Sequence, residues 1–212
     1  MKLTHLGHAC LLVETDTARI LIDPGTMSHF SEISGLDAVL VTHQHPDHVD
    51  TSRLPALLAA NPGARLVTDA DTSLALASPG LSSHGLPHTV ANPGDRIVFG
   101  GSNVAVFGGP HAAVYGDVPG CTNNAYLVDG FFHPGDSFLV PPADVDVLAV
   151  AIDGPWLKIA ESVDYVRAAG PRVAIPMHEG ETTDPAKYYG MLEAFGPAGV
   201  VRRLTRGQAT EL

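Results

Sequence analysis

The chain has 212 residues, 45% hydrophobic and 17% charged, a balance that suits one globular domain over residues 1–212 and excludes a disordered or coiled chain. Its 12 Lys and Arg against 23 Asp and Glu leave a formal net charge of −11, so no basic face is expected for nucleic acid or an anionic membrane. An anionic substrate stays open, because bound metal supplies local positive charge. From the N-terminus, Lys2–Gly7, Ala9–Glu14 and Arg19–Ile22 read as three short strands joined tightly at Gly7 and at Asp16-Thr17. The third ends in Asp23 and is broken by Pro24-Gly25. Asp37–Thr42 is apolar and β-branched, a buried strand, and Ser52–Ala60 reads as a helix. Arg65–Thr68 is a strand, and Asp69 or Asp71 would cap a helix over Thr72–Ala77. Arg96–Phe99 and Asn103–Phe107 pair, and Ala125–Asp129 and Phe131–His133 form a hairpin across Asp129-Gly130. Strand Val145–Ile152, helix Leu157–Ala169 stopped by Gly170-Pro171, strand Arg172–Met177, helix Pro185–Phe195 and strand Val200–Leu204 complete the order.

Between the Asp37–Thr42 strand and its helix lies His43-Gln44-His45-Pro46-Asp47-His48. Imidazole nitrogens and a carboxylate at this density suit zinc and its borderline neighbours, and a strand's C-terminal end is where open α/β sheets place their sites. His111, Asp136 and His178 each follow a strand, so one sheet edge would gather them with the cluster. His8, at the end of the first strand, is a candidate substrate contact, with a histidine bonded to backbone as the alternative. His5, His29, His84, His88 and His133 carry no motif. Asn123 and Asn124 are candidate donors to a substrate oxygen or, more simply, loop caps; Trp156 would roof the pocket or fill the core.

Cys10 sits in an apolar run as a small buried hydrophobe, and it and Cys121 make no disulfide framework. No signal-like apolar segment opens the chain and no run approaches membrane-spanning length, so a cytoplasmic protein without membrane association is expected. No redox-cofactor or phosphate-loop motif is present.

The His43–His48 motif, followed in order by His111, Asp136 and His178 and preceded by Asp23, resembles the metallo-β-lactamase fold superfamily. Leu6-Gly7-His8-Ala9-Cys10, Asn92-Pro93-Gly94-Asp95 and Pro176-Met177-His178-Glu179-Gly180 make it similar to the small metal-dependent hydrolases related to ascorbate-6-phosphate lactonase. That resemblance implies a four-layered αββα sandwich with two divalent ions on one edge, zinc first and manganese, nickel or iron as alternatives. It implies His43, His45 and His111 on one ion, Asp47, His48 and His178 on the other, Asp136 bridging them, and Asp23 bracing the ligand loops. Two ions sharing a water lower its pKa, so a bridging hydroxide would cleave an ester, lactone or related bond, with Asp47 or a metal-bound water returning the proton. A phosphodiesterase or nuclease, a mononuclear iron oxygenase, and a metal-binding protein without turnover are the alternatives. The expected partner is a small-molecule substrate, and homo-oligomerisation stays open.

Overall fold

The computed structural model describes residues 1–141 and 143–212. Its strands and helices follow in the order β1 (Lys2–Gly7), β2 (Cys10–Glu14), β3 (Arg19–Ile22), β4 (Ala38–Leu40), α1 (Leu54–Ala60), β5 (Arg65–Thr68), α2 (Ala70–Leu76), β6 (Thr89–Val90), β7 (Arg96–Phe99), β8 (Ser102–Pro110), β9 (Thr122–Val128), β10 (Phe131–His133), β11 (Val147–Ala151), α3 (Ile159–Ala169), β12 (Val173–Met177), α4 (Pro185–Phe195) and β13 (Thr210–Glu211). They form two sheets, β13-β1-β2-β3-β4-β5-β6 and β12-β11-β10-β9-β8-β7.

Period-two alternation along the strands builds three apolar layers. On β2, Leu11 and Val13 face the second sheet and pack with Val104, Tyr126, Phe131 and Ile175, while Cys10 and Leu12 face outward. The outward side of the first sheet packs on Leu54 and Leu57 of α1 and Leu76 of α2. The outward side of the second sheet packs on Val163 and Val166 of α3 and Leu192 of α4. Both sheets are therefore covered, giving the αββα sandwich. Local chemistry sets the boundaries. The Asp69 carboxylate accepts the Asp71 and Thr72 amides and caps α2. Gly170 ends α3 with φ 60°, and Asp129-Gly130 turns the β9–β10 hairpin with φ 45° and 93°.

Strand direction decides where the loops meet. β1 and β3 both run antiparallel to β2, and β4 runs parallel to β3. β8 and β10 both run antiparallel to β9, with β11 and β12 parallel to β10. The C-terminal ends of β1, β3, β4, β8, β10 and β12 thus emerge on one edge, and each leads into a candidate residue. One expectation is corrected: Val200–Leu204 is not a strand. Val201 makes only an isolated bridge to Ala174, and the last strand is instead Thr210–Glu211, which pairs with β1 on the other sheet. No helix among the described residues is long and apolar enough to cross a membrane.

Candidate metal centre

Two groups of four side chains stand side by side at this edge. His43, His45, His111 and Asp136 form one, and His8, Asp47, His48 and His178 the other; within each, the candidate donor atoms all lie within 4.8 Å of one another. Asp136 belongs to both in practice. Its Oδ2 lies 3.2 Å from His111 Nε2 and 3.2 Å from His178 Nε2, and its Oδ1 lies 3.2 Å from His48 Nε2. The seven residues expected as ligands from the sequence are all gathered here.

The protein presents these atoms through a supporting layer. Asp23, fully buried at φ 52°, accepts the Thr42 amide on Oδ1 at 2.8 Å and the Thr42 hydroxyl on Oδ2 at 2.7 Å. The same Oδ2 is 2.7 Å from His48 Nδ1, which therefore donates to it. Thr42 Oγ1, having given its hydrogen to Asp23, accepts from His43 Nδ1 at 3.0 Å. His111 Nδ1 donates to the Ala112 carbonyl at 2.7 Å. Each of these three rings consequently has Nδ1 held by a partner and Nε2 left facing the cluster, the nitrogen a metal ligand would use. His45 differs, approaching His43 Nε2 through Nδ1 at 3.0 Å.

Electrostatics in this cluster are strongly perturbed. Burial alone would lower the His48 pKa, but Asp136 and Asp23 hold it well above its ordinary value. Burial opposes ionisation of Asp136, yet His48 and His178 keep its carboxyl well below the usual range. Asp47 is likewise held low against its burial, chiefly by the hydrogen bond from His8. His43 and His45 are lowered by burial and by neighbouring histidines. Among the described residues, His48 Nε2 and Asp136 Oδ1 are buried with no hydrogen-bond partner, as is His178 Nδ1. An imidazole nitrogen and a carboxylate oxygen facing one another across 3.2 Å, both of them cation-binding atoms, fit a site shaped around cations, because such groups are otherwise costly to bury.

Sequence patterning leaves several neighbours unassigned. Trp156 is nearly buried and stands 5.8 Å from both the His111 and His178 rings, so it roofs a cavity of about 230 Å³ with Val114 and Glu181 at its wall. Asn123 and Asn124 are braces: Asn123 takes the Asp136 amide on Oδ1 at 3.0 Å and donates to the Pro134 carbonyl, and Asn124 donates to the Ala91 carbonyl. Cys121 Sγ lies 4.0 Å from His45 Nε2, a proximity invisible in the sequence, and burial pushes its thiol up to about 11. His8 is fully buried beside Asp47 and does not line the cavity. His133 is a core residue, with Nε2 on the Ala9 carbonyl at 2.9 Å and Nδ1 accepting the Gly135 amide.

The chain is similar to known proteins over most of its length. A family model described as a beta-lactamase superfamily domain matches residues 2–178. Protein Rv0786c of Mycobacterium tuberculosis is 44% identical over 201 residues, covering 91% of each chain. A UPF0173 metal-dependent hydrolase of Alkaliphilus metalliredigens is 27% identical over 197 residues, covering 84% of this chain and 85% of its own. In backbone shape, the metallo hydrolase Igni18 of Ignicoccus hospitalis matches with a TM-score of 0.73 at 24% identity, over 100% of this chain and 98% of that one.

Proposed function

The chain belongs to the beta-lactamase superfamily, and on that premise we propose that it is a dinuclear metal-dependent hydrolase of a small-molecule ester, lactone or thioester. The carrying observation is the pair of donor clusters meeting at Asp136, with His43, His48 and His111 each tied through Nδ1 so that Nε2 faces the cluster. His43, His45, His111 and Asp136 would hold one divalent ion, and Asp47, His48, His178 and Asp136 the other. Zinc, manganese, nickel and iron all suit nitrogen and oxygen donors. Two such ions, when bound, supply Lewis acidity and an acidified water.

The chain's own groups complete the reading. Asp47 is the partly exposed carboxylate at the cavity wall, and its Oδ2 is engaged by His8 while Oδ1 has no hydrogen-bond partner among the described residues. Oδ1 would carry the proton delivered to the leaving group. Trp156, close over the His111 and His178 rings, would exclude water from that side. His111 is shared with an adjoining groove of about 560 Å³ walled by Ala112, Ala113, Val118, Phe138 and Leu139. That groove suits an apolar acyl arm extending from the scissile bond. The net charge of −11 argues against a nucleic-acid substrate.

The test is turnover by metal-loaded protein against lactones and thioesters of graded acyl length, with phosphodiesters alongside. The expected result is acyl cleavage whose kcat/KM rises with chain length. Cleavage of phosphodiesters alone would replace this reading by the phosphodiesterase one, and full metal loading without any turnover would leave a metal-binding protein.

A further inference from the structure

His8 falls among the four side chains of the second cluster, yet its ring is turned the opposite way from the others. Its Nδ1 lies 3.0 Å from the Gly180 amide nitrogen. A backbone N–H only donates, so Nδ1 carries the lone pair and Nε2 carries the hydrogen in the neutral ring. Nε2 stands 2.9 Å from Asp47 Oδ2. In His43, His48 and His111 it is Nδ1 that donates outward, to Thr42, Asp23 and Ala112, and Nε2 that faces the cluster, toward His45 or Asp136.

We infer that His8 is not a fourth ligand of the second cluster but a positioning residue, whose Nε2–H pins Asp47 Oδ2 beside His48 and His178. Asp47 Oδ2 is 3.6 Å from His48 Nε2 and 3.5 Å from His178 Nε2, so one hydrogen bond fixes the carboxylate against both. Asp47 sits on a loop and would otherwise rotate about its side-chain bonds. With Oδ2 held, Oδ1 is left toward the cavity.

The fold takes trouble to hold this ring. His8 adopts φ 53°, a left-handed conformation that histidine tolerates better than most residues. Its amide donates to Glu179 Oε1 at 3.1 Å, an oxygen that also accepts from Arg206 Nη2 at 2.6 Å. Its carbonyl accepts from the His178 amide at 3.0 Å and lies 2.8 Å from His5 Nε2. A Cβ at position 180 would fall 2.8 Å from His8 Nδ1, so the amide approaches this closely only because residue 180 is glycine. Residues 178–180, backed by Arg206 on Glu179, thus fix the β1–β2 turn together with the ring it carries.

The inference rests on the metal-centre reading for its catalytic meaning, but the tautomer is measurable with or without metal. Long-range ¹H–¹⁵N spectra of histidine-labelled protein should show His8 protonated at Nε2, before and after adding zinc, and His43, His48 and His111 protonated at Nδ1. Two variants separate donor from ligand. His8→Gln places an amide N–H where Nε2–H stood, and His8→Ala places nothing; both carry the same backbone strain at position 8, so their difference reports the side chain alone. The expected outcome is two ions per chain in both, with affinity for the second ion down about 10–100-fold in His8→Ala and largely restored in His8→Gln. kcat should follow the same order with KM little changed. A His8 ring protonated at Nδ1, or loss of one ion per chain from both variants, would make His8 a ligand and overturn the inference. So would wild-type affinity and kcat in His8→Ala. If the wild-type protein bound no metal, the hydrolase reading would fail while the tautomer result still decided this one.

Discussion

Replacing Asp23 with asparagine would test whether the supporting layer, rather than the ligands alone, makes the site. Asp23 is fully buried and accepts three hydrogen bonds, from the Thr42 amide at 2.8 Å, the Thr42 hydroxyl at 2.7 Å and His48 Nδ1 at 2.7 Å. Asparagine keeps the shape and one acceptor oxygen for the Thr42 amide. Its NH₂ then faces Thr42 Oγ1, which can accept, and His48 Nδ1, which in the wild type is a donor. Two donors cannot share that line, so His48 would keep its hydrogen only on Nε2. There the hydrogen meets Asp136 Oδ1, 3.2 Å away and without a hydrogen-bond partner in the wild type. The metal-free fold therefore recovers part of its loss, and the net cost should be about 1–3 kcal/mol, the range for disturbing a buried hydrogen-bonding group. Metal binding has no such recovery, because His48 Nε2 now carries a proton where a cation requires the lone pair. Loss of a partner in this position costs about 10–100-fold in affinity, or about 1.4–2.7 kcal/mol. Titration against a chromogenic chelator should show one of two sites weakened by that factor, with urea unfolding of the metal-free protein giving the stability term. Two site affinities within twofold of wild type would refute the argument, since His48 would then be independent of Asp23.

Metal-loaded protein should contain close to two divalent ions per chain by elemental analysis, and Asp136→Asn should weaken the second ion and reduce turnover still further while circular dichroism stays unchanged; a persistent single ion in the wild type would remove the dinuclear reading. Gly25→Ala should destabilise by about 1–3 kcal/mol or more, because its Cβ would fall 1.7 Å from the Asp47 carbonyl oxygen and 2.6 Å from the His48 amide nitrogen. Gly63→Ala, where a Cβ meets nothing within 4 Å, is the control, and equal urea midpoints for the two variants would sink the prediction. Asp50 accepts the Ser52 and Arg53 amides and the Arg53 Nε–H, and these hydrogen bonds, with the Ser52 hydroxyl, pull its pKa to about 2 against the opposing effect of burial. A depressed folded pKa means the stabilisation is present above the ordinary carboxylate value and lost as pH falls toward 2. Asp50→Asn should accordingly flatten the fall in stability between about pH 4 and 2; an unchanged slope would count against it.

Much of this protein is local in origin. Strands such as Lys2–Gly7, Arg19–Ile22 and Arg65–Thr68, helix Pro185–Phe195 and the Asp129-Gly130 turn are legible because periodicity and turn chemistry act over a few residues. The order of candidate ligands is legible for the same reason, since each follows a strand that a short apolar run announces. Other features depend on partners remote in the chain. The two-residue strands Thr89–Val90 and Thr210–Glu211 exist only because β5 and β1 offer open edges, whereas Val200–Leu204, β-like in composition, finds only a single bridge beside Ala174. Asn123 looks like a loop residue until the sheet brings its side chain to the Asp136 amide. Residue types and spacing alone marked the side chains that would hold a cation. Which nitrogen of each ring bears the hydrogen was decided by the tertiary structure, because that proton follows the partner of the other nitrogen. For His8 that partner is Gly180, and for His48 it is Asp23, each brought into place only by the folded sheets.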